Sequence, residues 1–462
     1  MIFLYDIFLF LYRIGIRVLA LWNPKVRRWV EGRKGIFKSL ELGVRNRELE
    51  VNERPSANEQ RPAIIWVHCA SLGEFEQGRP LIEKIKTQEP NSKILLTFFS
   101  PSGYEVQKNY KGADWVFYLP LDSAENANQF LNIVNPSLAI FVKYEFWFYY
   151  LEELKKRKIH TLLVSSIFLP KHPFFKWYGG LHKQMLSCFN HVFVQNESSQ
   201  KLLASIGFTN NVSISGDTRF DRVIEIAERF EPIPLIESFI GDSNKVIVAG
   251  STWPEDEEEM NHYANTYTYV KFIIAPHEID EEHLLDIEKL FKYSIRFSSL
   301  ADDRWPMTGK QSPANNDQRT TTNNSSLTAN GQQPKPNASI PPNVLIIDNI
   351  GMLSRLYKYG TITFVGGGFE TDGVHNVLEA AVYGKPVIHG PVFENYAEAV
   401  ELEACGGSIV VDNALELEEE LNDLFNDEKY LAECCAAAKS YVYSKQGATG
   451  RIMEYLDNNQ LI

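Results

Sequence analysis

The stretch VHCASLGEFEQGRPLIEKI (67–85) opens like the end of a buried strand and closes like an amphipathic helix. Ser71, Gly73 and Glu74 stand at the corner between the two. A carboxylate at such a corner can take a proton from an attacking hydroxyl. The same residues spell S-x-x-E, the capping box that satisfies free N–H groups at a helix start. The residues alone leave both readings open.

Five other stretches carry similar chemistry. In TFVGGGFETDGVHNVLEAAVYGKPVIHGP (363–391), a strand runs into Gly366-Gly367-Gly368, where missing side chains would let a ligand approach the backbone. The spacing then predicts a helix opening at His375 and Asn376, with Glu379 on the same face. A helix start suits phosphate, while Asn and Glu suit sugar or base hydroxyls and amines. VIVAGSTWPEDEEEM (246–260) puts Ser251 and Thr252 at another strand end, fit for a phosphate or for plain N-capping. VKYEFWFYYLEEL (142–154) carries Glu145 beside Trp147, either a catalyst or a first-turn helix residue. His277 in IIAPHEID and Arg219 in SISGDTRFDRV end two further strands. The first has a plain structural reading. The second either clamps an anion or forms a hinge salt bridge.

These residues need elements to hold them. Continuous apolar runs at 63–68, 93–98, 115–119, 138–142, 160–165, 191–195 and 212–216 alternate with helical segments such as 77–87 and 149–158. That is a βαβ array with strands covered on both faces. The pattern pauses at two prolines in 229–242. It restarts at 245–250, 269–276, 294–299, 343–348, 361–367, 386–390 and 407–411. The expected fold is α/β, with two Rossmann-like lobes facing across a cleft: residues 39–228, a hinge at 229–242, and 243–462. Within the second lobe, 301–342 is rich in Asn, Thr, Gln, Ser and Pro and reads as a disordered insertion.

The N-terminal MIFLYDIFLFLYRIGIRVLALW is strongly apolar, though Asp6, Arg13 and Arg17 interrupt it. Lys25, Arg27, Arg28, Arg33, Lys34 and Lys38 follow, a basic flank drawn to anionic headgroups. Residues 1–38 therefore read as an anchor, spanning the membrane or lying in its interface, with the rest cytoplasmic. A buried amphipathic helix is the alternative. A net charge of −13 over 462 residues argues against nucleic acid as a partner. The five cysteines show no metal-ligand spacing.

Taken together, HCASLGEFEQGRPLI, TFFSPSGYE, YLPLD, YEFWFYYLEELKKRKI, VQNESSQKLLASIG, GDTRFD, AGSTWPEDEE, DNIGMLSRLYKYG and VGGGFETDGVHNVLEAAVYGKPVIHGP resemble the Kdo transferases, glycosyltransferases of the GT-B type. Kdo is 3-deoxy-D-manno-octulosonic acid. The resemblance implies inverting transfer of Kdo from CMP-Kdo to a lipid A precursor, in lipopolysaccharide assembly at the cytoplasmic face of the inner membrane. It implies Glu74 as general base, with Glu145 and Arg219 on the acceptor side. The donor would meet Ser251, Thr252, His277, Gly351, Gly367, Gly368, His375, Asn376 and Glu379. No cofactor or obligatory metal is implied. Two positions depart from the family pattern. Pro276-His277-Glu278 lacks the usual arginine before the histidine, and Lys143 replaces an acid two residues before Glu145. The competing readings are a GT-B enzyme using a UDP- or GDP-sugar, and a non-catalytic sugar-nucleotide-binding protein.

Overall fold

A computed structural model describes residues 2–50, 63–301 and 341–462. The described strands form two seven-stranded sheets, and every pairing in them is parallel. The first holds β1 (Ile64–Cys69), β2 (Lys93–Phe98), β3 (Trp115–Tyr118), β4 (Leu138–Val142), β5 (His160–Ser166), β6 (His191–Val194) and β7 (Val212–Ile214). Its spatial order is β3-β2-β1-β4-β5-β6-β7. The second holds β8 (Val246–Thr252), β9 (Lys271–Pro276), β10 (Ser294–Arg296), β11 (Val344–Ile346), β12 (Ile362–Val365), β13 (Val387–His389) and β14 (Ser408–Val410). Its order is β10-β11-β9-β8-β12-β13-β14. Each predicted strand is present, shifted by at most a few residues. Both faces are helix-covered, which is why a strand such as LAIFV of β4 is buried at all five positions. Strand order reverses beside β1 and beside β8. Ligands of such sheets bind beyond the carboxyl ends of the strands at these switch points.

The chain divides into two compact units, residues 1–222 with 445–462, and residues 223–444. The sequence reading gave all of 243–462 to the second lobe, but the C-terminus returns to the first. The cause is apolar: Ile452, Met453 and Leu456 of helix Ala448–Asn458 join the core cluster of Ile65, Val67 and Leu162. Asp221 fixes the start of that helix by accepting the N–H of Thr449 at 2.6 Å. The boundary at Arg222/Val223 falls inside helix Thr218–Glu228, ahead of the two prolines expected to form the hinge. Most of the predicted insertion 301–342 lies outside the described residues.

Three helices precede β1: α1 (Ile2–Leu19), α2 (Pro24–Glu31) and α3 (Ile36–Glu50). Trp29, Ile36, Leu40 and Val44 are buried. The last three pack with Trp66, Leu95 and Trp115 in the first unit's core. Much of the segment read as anchor and flank is therefore built into that lobe. Among the described residues no helix is long and apolar enough to cross a membrane. The 18 residues of α1 span about 27 Å at 1.5 Å each, and charges interrupt them. α1 docks by its tyrosines: Tyr5 donates to Asp122 at 2.6 Å, and Tyr12 stacks on Phe99. Phe3, Leu4, Phe8, Phe10, Leu11 and Leu19 remain exposed.

Leu456 is fully buried in the first unit's core. Leu456→Ala should cost about 2–5 kcal/mol, read as an earlier unfolding transition in denaturant. A variant as stable as the parent would show that the C-terminal helix is not part of that core.

Candidate active site

In the first unit, α4 (Leu72–Gln88) starts directly after β1, with Ser71 as its N-cap. Glu74 Oε2 accepts the backbone N–H of Ser71 at 3.0 Å and also the Ser71 hydroxyl. The carboxylate is thus a capping group, where the general-base reading expected it turned away from its own helix. A carboxylate has two oxygens, and no hydrogen bond reaches Glu74 Oε1 among the described residues. Capping therefore fixes the carboxylate by one oxygen and leaves the other free to accept a proton. Gly73 imposes no side chain beside this corner, and only the Ser71 hydroxyl lies near its Cβ position.

Glu145 follows the neighbouring strand β4. Its Oε2 accepts the Trp147 indole N–H at 2.6 Å and meets His68 Nε2 at 3.0 Å. His68 lies on β1 and is fully buried, in register with Thr97 on β2. Its Nδ1 faces the Thr97 carbonyl oxygen at 3.1 Å and the Thr97 hydroxyl at 2.9 Å. A carbonyl only accepts, so this network assigns a proton to Nδ1. Nε2 then accepts from the Trp147 indole N–H at 3.1 Å, the same N–H that reaches Glu145 Oε2. Glu145 is therefore held in a buried pair and is more than a first-turn residue. The Cys69 thiol is pushed up by burial and by the charges of Glu74, Glu145 and Glu76, so both candidate carboxylates act on one strand end. Sequence reasoning noted Trp147 and missed His68, whose signal was its place beside the strand end in VHCAS.

Arg219 stands in the first turn of helix Thr218–Glu228. Its Nε and Nη2 bond Asp217 Oδ2 at 2.9 and 2.8 Å, the salt-bridge alternative of the sequence reading. The neighbouring Thr218 bonds the Gln77 carbonyl of α4, which places Arg219 beside the Glu74 helix.

The second unit gathers its candidates at the ends of β8, β9 and β12. Ser251 takes a left-handed backbone with φ 54°, where the pairing of β8 with β9 slips by a residue. The Thr252 hydroxyl donates to Glu257 Oε1 at 2.8 Å, so its side chain is committed and only its backbone borders the site. Trp253, His277 and His375 form one stack. Trp253 and His277 ring centroids are 4.6 Å apart, those of His277 and His375 4.5 Å. The Trp253 indole N–H donates to His375 Nε2 at 2.9 Å. Burial, with His277 alongside, pushes His375 down to about 4. Burial also lowers His277. Both imidazoles are therefore neutral at pH 7, so His277 does not supply the charge of a missing arginine.

The glycine loop differs from expectation in one respect. A Cβ on Gly367 (φ 87°) would meet the Gly373 carbonyl oxygen at 2.6 Å, and one on Gly368 would meet the Gly390 backbone at 2.5 Å. These glycines let the chain pack on itself as much as they expose backbone. The predicted helix is shorter, Leu378–Ala381, and the N–H groups of Val374 and His375 ahead of it bond Val392 and Gly366. His375 and Asn376 precede the helix. Asn376 Nδ2 donates to Glu379 Oε1 at 3.0 Å, so this pair does come together. Gly351 stands in the loop after β11, on the same sheet edge, with φ 99° and open space where a Cβ would lie.

Asp256, which the sequence reading does not single out within its acidic run, fastens this edge together. Its Oδ2 accepts the N–H groups of Trp253 and Gly367 at 2.9 and 2.8 Å. Full burial pushes its carboxyl up to about 6 against those bonds. The folded value lies above the unfolded one, so the favourable contribution is complete below about pH 4 and is lost as pH rises through 6. The loss amounts to about 3 kcal/mol. Asn can accept the same two N–H groups without ionising. The Tm of Asp256→Asn relative to the parent should therefore climb between pH 4 and 8, and a pH-independent difference would contradict this.

A family model described as 3-deoxy-D-manno-octulosonic-acid transferase (kdotransferase) matches residues 44–222. A 3-deoxy-D-manno-octulosonic acid transferase of Aquifex aeolicus is 27% identical over 375 residues, covering 79% of this chain and 87% of that protein. One from Haemophilus influenzae is 24% identical over 412 residues, covering 86% and 88%. A bifunctional glycosyltransferase/methyltransferase of Fusobacterium nucleatum is 27% identical over 393 residues, 80% of this chain, which spans 56% of that longer protein. In fold alone, the chain is similar to a UDP-GlcNAc 2-epimerase of Neisseria meningitidis. The TM-score is 0.57 at 16% identity, covering 86% of this chain and all of that one. Motifs, sequence relatives and the two Rossmann-like lobes agree in making this chain similar to the 3-deoxy-D-manno-octulosonic acid transferases.

Proposed function

We propose that the protein transfers Kdo with inversion from CMP-Kdo to a lipid A precursor. The observation that carries this reading is the agreement of motifs at the carboxyl ends of both sheets with relatives that extend over both lobes. Glu74 is the base. Held through Oε2 by the Ser71 N–H, it takes the acceptor hydroxyl proton on Oε1. The acceptor oxygen bonds C2 of Kdo as the bond from C2 to the CMP phosphate oxygen breaks, and CMP leaves with that electron pair.

The donor lies along the second sheet's edge. Ser251, the Thr252 backbone, Gly367 and Gly368 border its phosphate, where backbone N–H groups meet leaving-group charge. The stack of His277 and His375, the Asn376–Glu379 pair and the Gly351 loop border its sugar and base. Glu145 and Arg219 lie on the acceptor side, both held in place by partners. The step needs no cofactor or metal.

α1 lies in the bilayer interface on the cytoplasmic face of the inner membrane. Its exposed apolar side chains support this, as do the exposed Lys25, Arg27 and Arg28 of α2. The test is incubation of the full chain with CMP-Kdo and tetraacylated lipid A precursor, with product mass counted in Kdo units. The expected result is a mass gain of whole Kdo residues, with CMP competing for the donor site better than UDP or GDP. No mass gain, or preferential inhibition by UDP or GDP, would overturn the donor assignment.

A further inference from the structure

Between α1, α2, α3 and the 120–126 segment after β3 lies a cavity of about 740 Å³ within the first unit. Arg13, Arg17, Arg33, Lys34 and Lys38 line it, against a single carboxylate, Glu125. None of the five cations forms an ion pair among the described residues. The Nε of Arg13 is buried without a hydrogen-bond partner.

Arg33 forms the inner wall. Its guanidinium lies 3.8 Å from the Trp29 ring centroid and 4.6 Å from that of Tyr118. It donates to the carbonyl oxygens of Leu119, Trp29 and Phe99 at 3.0, 3.1 and 2.6 Å. Burial lowers it to about 9, which leaves it protonated at neutral pH. A half-buried cation that meets only carbonyls and ring faces projects its charge into the cavity. The 11-residue helix Ala124–Val134 also begins at this rim, adding its positive dipole end.

The geometry points to a binding site for the phosphate of an acylated, phosphorylated sugar, the acceptor; this rests on the reading above. Two further observations select that ligand over bulk headgroups. The exposed apolar side chains of α1, including Ile14 and Val18, border the cavity's cations in sequence and give acyl chains a surface. The cavity is also joined to the catalytic edge. Arg33 holds the Phe99 carbonyl, the Phe99 N–H bonds Ala70 just before Ser71, and the Phe99 ring lies 4.5 Å from Trp147, the partner of Glu145. A phosphate held here keeps its sugar on the strand edge that carries Glu74. The cations of α2 that face away from the cavity, Lys25 and Arg28, serve the bilayer in general.

The test uses the full chain and phosphatidylcholine vesicles doped with one of three lipids: a bisphosphorylated tetraacyl glucosamine disaccharide, its dephosphorylated form, or phosphatidylglycerol. Arg17→Gln/Lys34→Gln is compared with Lys25→Gln/Arg28→Gln. All four side chains are exposed and the charge change is equal. The parent should bind the phosphorylated sugar lipid more tightly than the dephosphorylated one, and the cavity variant should lose roughly tenfold or more of that preference. The α2 variant should weaken on phosphatidylglycerol while keeping the preference. Equal behaviour of the two variants, or an unchanged preference in the cavity variant, would overturn the site. A phosphate preference without product from CMP-Kdo overturns the donor assignment and leaves the cavity standing. Product formation with an unchanged preference in the cavity variant overturns the cavity alone.

Discussion

A parallel strand covered by helices on both faces has nowhere to keep a polar side chain except at its ends. Every strand pairing described here is parallel, and the strand interiors are filled with Ile, Val, Leu and Phe. The chemistry therefore gathers at the carboxyl ends, and the reversal of strand order fixes which ends open a crevice. In the first sheet that places Glu74 after β1 beside Glu145 after β4. In the second it places Ser251 after β8 beside the glycine loop after β12. The few polar groups inside the sheets, such as His68 and Thr97, are bonded to one another, as buried polar groups must be.

On the proposed mechanism, Glu74 meets two demands with one side chain. Without a cap, the start of α4 would leave free N–H groups beside a buried strand end, a loss on the order of 1 kcal/mol. The Ser71 N–H bond removes that cost and also sets the carboxylate's direction. Preorganisation of this kind is what a general base needs, since a freely rotating carboxylate spends little time in line with its proton donor. The second sheet uses the same device: Asp256 caps its helix through Trp253 and reaches the Gly367 N–H with the same oxygen. In each lobe a capping carboxylate ties a helix start to the carboxyl edge of the sheet.

Much of this was legible in the sequence because each strand is a short continuous apolar run between turn residues. The motif residues also stand at strand ends, where their spacing locates them. What escaped has physical causes. The return of 445–462 to the first lobe depends on long-range apolar packing, which no local pattern encodes. The helix expected at His375 begins only at Leu378, and the loop before it is tied to Gly366 and Val392, partners outside any local pattern. Asp256 sits in a run of acids whose members look alike, and only its burial separates it from them. The apolar α1 reads as an anchor, yet its tyrosines and arginines belong to the first lobe, and only its outer face is left for a bilayer.

On the proposed mechanism, Glu74 caps its helix with one oxygen and accepts the substrate proton with the other. Gln at this position can still accept the Ser71 N–H but cannot take a proton, so Glu74→Gln separates the two roles. This variant should keep the Tm and CMP affinity of the parent while kcat falls by about 10²–10⁴-fold. Turnover at the parent's rate, with stability and CMP binding intact, would contradict it.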